Sequence, residues 1–184
     1  MKALIVIDYT VDFVTGKLPC GDPAIRIGDR IAALTEAHVN AGDYVLMAVD
    51  VHDEGDVYHP ETKLFPPHNI RGTEGRRLYG KLDSVYRQLQ HRIEWMDKTR
   101  YSAFCGTDLA IKLRARGITE VHLVGVCTDI CLLHTAVDAY NMGFRLAIHA
   151  DAAASFNEIG HDWALGHFKD VLGAEVLRGG HPIP

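Results

Sequence analysis

Cys131 closes the segment Gly125-Val126-Cys127-Thr128-Asp129-Ile130-Cys131, where an apolar run passes into a helical pattern that Thr128 or Asp129 could cap. In the first turn of a helix the unpaired N–H groups and the dipole favour a thiolate, and the same amides can hold a developing oxyanion. The plain alternative is a small buried hydrophobe. Cys127 has a similar claim, although it falls before the helix. Lys98 leaves the apolar run Ile93-Glu94-Trp95-Met96, where a charge is costly unless it meets an anion or snorkels to the surface. Beside a carboxylate and a thiol, such an amine becomes an activator. Asp8 ends another apolar run and is the complementary carboxylate. Asp12 is its rival, and loop capping is the ordinary role for either.

A second set of residues follows Asp50. Asp50-x-His52 continues to Glu61 and to His68 within Phe65-Pro66-Pro67-His68. Two imidazoles and carboxylates form a common donor set for a divalent transition metal with open positions. His59 competes for the same role, and with 11 histidines in the chain some clustering arises by chance. A non-haem iron oxygenase can use two histidines and one carboxylate, but that chemistry leaves Lys98 and Cys131 without a task. His134, one turn beyond Cys131, is read as packing against the sheet. His38, His91, His161 and His167 fall on helices or their ends and are read as solvated.

The elements that must carry these residues alternate. Apolar runs at 3–7, 44–49, 93–96, 121–126, 144–148 and 174–177 read as strands. Helical patterns occupy 24–38, ended by Gly42; 107–116, with Thr107 as N-cap and Gly117 as stop; 129–141, ended by Gly143; and 158–172. Short apolar strands alternating with amphipathic helices specify a parallel sheet covered on both faces. In such a sheet, ligands bind beyond the carboxyl ends of the strands, where the strand order reverses. Asp8, Asp50 and Lys98 end three of the predicted strands and Cys131 follows a fourth, so all four belong at one edge. The irregular stretch 51–77, rich in His, Pro and Gly, is long enough to be read as functional.

With 184 residues, 47% hydrophobic and 23% charged, the chain suits one compact domain over 1–184, with a metal-binding loop at about 50–77. A formal net charge of -5 offers no electrostatic reason for a nucleic-acid or anionic-membrane partner. No apolar run approaches the roughly 20 residues that span a bilayer. The apolar start stops at Asp8, too soon for a secretion signal. A cytoplasmic protein is expected, with Cys20, Cys105, Cys127 and Cys131 as free thiols.

Taken together, these residues resemble the isochorismatase-like cysteine hydrolases, and within them the nicotinamidases. The likeness covers nearly the whole chain, from Ile5-Val6-Ile7-Asp8 through Gly125-Val126-Cys127-Thr128-Asp129-Ile130-Cys131. It implies a three-layer α/β/α fold with a six-stranded parallel sheet, and a catalytic set of Asp8, Lys98 and Cys131. The metal ligands it implies are Asp50, His52 and His68, with Glu61 reaching the ion directly or through water; zinc comes first, manganese or iron after it. It further implies a cis peptide at Val126–Cys127, backbone amides of Cys127 and Cys131 facing an oxyanion, and Phe13, Phe65 and Tyr101 around a pyridine ring. The activity implied is hydrolysis of nicotinamide to nicotinate and ammonia through a cysteine thioester, by a homo-oligomer. Two departures stand out. Tyr9-Thr10 follows the aspartate where many relatives have Gln and Asn, and Cys127 stands where Ala is frequent. Two rival readings remain: a metal-free relative acting on isochorismate or another small amide, and a silent nicotinamide-binding protein.

Overall fold

The computed structural model describes residues 1–179, so the last five positions of the expected 1–184 domain lie outside the described residues. Six strands, β1 (Ala3–Ile7), β2 (Tyr44–Asp50), β3 (Ile93–Lys98), β4 (Glu120–Val126), β5 (Arg145–Ala154) and β6 (Glu175–Leu177), form one sheet in the order β3-β2-β1-β4-β5-β6. Every pairing is parallel. The central strand β1 is wholly buried, as ALIVI requires of a strand covered on both faces. The edge strand β3 carries Glu94 and Asp97 instead, which discourages pairing with another chain.

Helices α1 (Val11–Val14), α2 (Asp22–Ala41) and α3 (Lys81–Leu89) cover one face. There Phe13, Ile31, Leu34 and Leu82 pack on Leu4, Val6, Val45 and Met47. Helices α4 (Leu109–Ala115), α5 (Leu133–Asn141) and α6 (Glu158–Asp170) cover the other. Their Leu113, Ala136 and Phe168 meet Ile5, Leu46 and Leu123. The period-2 alternation of side chains along each strand thus feeds two separate cores.

Several local expectations change. The predicted helix at 129–141 is a π-type turn over Thr128–Leu132 that becomes α5 only at Leu133. Asp108, not Thr107, sits at the N-cap position of α4, although the Thr107 hydroxyl still accepts from the Leu109 N–H at 3.3 Å. β5 runs on to Ala154, well past 148, and α3 has no predicted counterpart. The irregular stretch contains two short 3₁₀ turns, Pro60–Lys63 and Glu74–Arg76.

One backbone contact fixes the crossing of β1 and β4. Gly125 has φ +118°, and a Cβ there would stand 2.0 Å from the carbonyl oxygen of Ile7. Only glycine allows the two central strands to meet where Asp8 leaves β1.

Candidate active site

The strand order reverses between β1 and β4, so the crevice of this sheet opens there. Asp8 follows β1 directly, with φ +54°, a left-handed conformation that aspartate tolerates better than most residues. Its Oδ1 accepts from the Asp50 N–H at 2.7 Å, tying the ends of β1 and β2 together. Lys98, the last residue of β3, reaches in beneath them. Its Nζ lies 2.7 Å from Asp8 Oδ2, 3.8 Å from Asp50 Oδ1 and 3.6 Å from Cys131 Sγ. Asp8 and Lys98 are each 1% exposed, so this is a buried ion pair and not a snorkelling lysine.

One ammonium therefore serves two carboxylates and a thiol, and the three acids divide it unequally. Burial pushes Asp8 upward and the Asp50 charge adds to this, with Lys98 only partly offsetting them. Burial acts on Asp50 in the same sense, but Lys98 and hydrogen bonds from His52 and His68 hold it well below the usual carboxylate range. Burial opposes the Lys98 charge, yet Asp8, Cys131 and Asp50 keep it firmly protonated. Burial also raises the Cys131 thiol, against the pull of Lys98. Neighbouring groups pushed apart in proton affinity are a sign of divided acid–base roles. Here Asp8 is poised to take a proton, and Cys131 has one to give.

The rival residues have other occupations. Asp12 Oδ2 accepts from the Asn69 N–H at 2.8 Å and its Oδ1 from the Lys17 N–H at 3.1 Å. It anchors the long loop beside His68 and does not enter the Asp8–Lys98–Cys131 cluster. His59 Nδ1 accepts from the Glu61 N–H, so Nε2 carries the proton and donates to the Thr99 carbonyl at 2.8 Å. Both of its nitrogens are consumed in positioning Glu61. Cys127 sits at the N-cap of the π-type turn, its Sγ 3.2 Å from that of Cys20. The Val126–Cys127 peptide is cis.

Asp50, His52, Glu61 and His68 form a second cluster against the first, offering ligand atoms that all lie within 4.8 Å of one another. His52 Nε2 is 2.7 Å from Asp50 Oδ2; His68 Nε2 is 3.5 Å from the same oxygen and 3.6 Å from Glu61 Oε2. His68 Nδ1 donates to the Pro66 carbonyl at 2.8 Å. Its Nε2 lies between the Asp50 and Glu61 carboxylates, buried and without a close hydrogen-bond partner, as is Asp50 Oδ1. Burial disfavours a charged His68, yet Asp50 and Glu61 outweigh it and push the ring up to about 10. Buried carboxylates that call for positive charge, beside an imidazole oriented through its other nitrogen, fit a divalent cation.

Phe13, Phe65 and Tyr101 line one cavity with Cys131, Cys127 and Glu61. The cavity is narrow and its lining is mainly apolar and aromatic. Leu18, Ile130 and Phe156 also face it; nothing in their local patterns marks them. His134 is exposed and lies tilted against Tyr101, at 5.2 Å between ring centres, and does not pack against the sheet as expected.

A buried Asp–Lys–Cys cluster at the switch point of a six-stranded parallel sheet defines the class, and residues 2–179 match the isochorismatase domain family; the chain belongs to it. An isochorismatase-family protein of Bacillus subtilis is 62% identical over 181 residues, covering 96% of this chain and 99% of that one. The crystal structure of the nicotinamidase/pyrazinamidase PncA of Bacillus subtilis superposes with a TM-score of 0.94, at 58% identity over 96% of this chain and 100% of that one. The pyrazinamidase of Pyrococcus horikoshii, solved in complex with zinc, superposes with a TM-score of 0.85 at 27% identity over 96% and 98% of the two chains. No helix among the described residues is long and apolar enough to cross a membrane.

Proposed function

We propose that this protein is a nicotinamidase, an amide hydrolase that converts nicotinamide to nicotinate and ammonia with Cys131 as nucleophile. The observation that carries the reading is the buried Lys98 ammonium, shared between Asp8 at 2.7 Å and Cys131 at 3.6 Å. A binding protein needs no such charge beneath a thiol, which sets aside the silent-binder alternative. Likeness to nicotinamidase/pyrazinamidase PncA supplies the substrate class.

Phe13, Phe65 and Tyr101 would hold the aromatic ring in the small cavity, its amide toward Cys131. Asp8 takes the thiol proton, and Lys98 stabilises the charge that remains on sulfur. The thiolate attacks the amide carbon, forming a C–S bond, while the backbone amides of Cys127 and Cys131 donate to the oxyanion. Collapse breaks the C–N bond, and protonated Asp8 gives its proton to the departing nitrogen, releasing ammonia. Water then attacks the thioester with Asp8 as base; the C–S bond breaks, and the proton returns to Cys131 as nicotinate leaves.

Asp50, His52 and His68 would hold a divalent transition ion, zinc in first place, with Glu61 bound directly or through water. When present, it would supply a Lewis-acidic point for the ring nitrogen and so orient the amide.

Ammonia release from nicotinamide by the purified protein, before and after chelation and after zinc is restored, tests the reading. Turnover lost on chelation and regained with zinc is expected. Absence of ammonia from metal-replete protein overturns it. Turnover indifferent to chelation removes the metal from the mechanism and leaves the cysteine hydrolase.

A further inference from the structure

Far from the crevice, toward the starting ends of the strands, three histidines meet where no local pattern announces them. His38 lies in the last turn of α2, His122 near the start of β4 and His149 midway along β5. The expected solvation of His38 is not found: it is 0% exposed, and His122 and His149 are 4% and 3% exposed. The ring centres of His38 and His122 are 5.0 Å apart and those of His122 and His149 5.1 Å. Each ring offers one nitrogen, and the three nitrogens lie within 4.8 Å of one another.

Two carboxylates orient two of the rings. His38 Nδ1 is 2.9 Å from Asp43 Oδ2; a carboxylate accepts, so Nδ1 carries the proton and Nε2 the lone pair. That Nε2 is buried and has no partner. His122 Nε2 is 3.0 Å from Glu120 Oε1 and donates in the same way, which leaves the Nδ1 lone pair to accept from His149 Nε2–H at 2.9 Å, a proton that a bound ion would displace. His149 Nδ1 is likewise buried without a partner. Orphaned nitrogens in an apolar interior are unfavourable unless something joins them.

We propose that His38, His122 and His149 form a second, structural site for a divalent transition metal, clamping α2 onto β4 and β5. Neutral imidazoles backed by carboxylates through their other nitrogen are the usual form of such ligands. Asp43 and Glu120 fill that role for His38 and His122; Glu120 also pairs with Lys2 at 3.3 Å and Arg145 at 2.9 Å. Tetrahedral Zn–N bonds put ligand nitrogens about 3.3 Å apart, so the rings need only small rotations to close on an ion, and a fourth position remains for water. Protonation would compete with binding, but burial lowers all three rings, His149 to about 3 with His122 and His38 adding to the effect. The charged groups facing the cluster are Lys2, Arg30, Asp43 and Glu120. Lys2 and Arg30 disfavour imidazolium, while Asp43 favours it at His38 and His122 and Glu120 at His122.

The test is a metal count on untagged protein, stripped with chelator and titrated with cobalt(II), whose visible absorption reports the ligand set. The His52→Ala/His68→Ala variant removes the crevice site and should still take up one ion per chain. Adding His38→Gln or His149→Gln should bring the count to zero. Asp43→Asn keeps every imidazole and should weaken uptake about 10–100-fold, so the proposal stays testable if a histidine variant folds poorly. It is overturned if the His52→Ala/His68→Ala protein binds no ion, or binds one that both His38→Gln and Asp43→Asn leave untouched.

Discussion

Lys98→Met probes the ion pair beneath the Cys131 thiol. Methionine keeps most of the unbranched stem, one atom short of lysine, and deletes the charge, leaving Asp8 and Asp50 buried without the ammonium at 2.7 and 3.8 Å. Removing one partner from a buried pair costs about 3–5 kcal/mol. At about 2–4 °C per kcal/mol for a chain of this size, the melting temperature should fall by roughly 6–20 °C. The loss should depend on pH with a definite sign. Asp8 in the folded protein already binds its proton more tightly than the ordinary 3.8, and without Lys98 it will bind it more tightly still. A raised carboxylate contributes stability that is full below the unfolded value and disappears as pH rises through the folded one. The gap between variant and wild type should therefore be widest near neutrality and narrow on acidification. Asp8→Asn placed in the Lys98→Met protein removes the stranded charge and should recover much of the loss. Thermal unfolding of the wild type, both single variants and the double variant at several pH values measures all of this. Additivity of the two substitutions within about 0.5 kcal/mol, or a gap that ignores pH, would refute the reasoning.

Two further outcomes follow from particular distances and burials. Gly125→Ala drives a methyl to 2.0 Å from the Ile7 carbonyl at φ +118° and should cost more than about 3 kcal/mol. Gly166→Ala, in α6 with nothing within 4 Å of its new methyl, should gain about 0.5–1 kcal/mol. Equal melting temperatures for these two variants would contradict the backbone account. Because burial raises the Cys131 thiol, iodoacetamide should label it slowly at pH 7 and faster as pH climbs through 9, and more slowly again in Lys98→Met. Mass spectrometry can follow this with the exposed Cys105 as internal comparison. A rate already level from pH 6 would reveal a preformed thiolate.

The buried polar cluster at the sheet edge was legible because most of its members interrupt a simple pattern. Asp8, Asp50 and Lys98 are polar residues at the ends of apolar runs, and chain direction alone puts those ends on one edge of a parallel sheet. Which strand lies beside which was not legible, since the order β3-β2-β1-β4-β5-β6 is a choice of packing and not of local propensity. Setting Asp12 apart from Asp8, and His59 from the other loop histidines, turned on which polar atoms are consumed by backbone groups elsewhere. Helix α3 escaped notice because only Leu82 and Val85 of its nine residues are buried. β5 outran its predicted end because Ala150 and Ala152–Ala154 carry no strand preference of their own. The histidine trio draws on one helix and two strands far apart in the chain, and no spacing rule joins them.

The most direct test of the central claim is to trap the intermediate. Metal-replete protein mixed with excess nicotinamide, quenched in acid during turnover and digested, should yield a nicotinoyl thioester on the peptide containing Cys131. The adduct should be absent from Cys131→Ala. Rapid ammonia release with Cys131 unmodified throughout, or with the acyl group on another cysteine, would contradict the account.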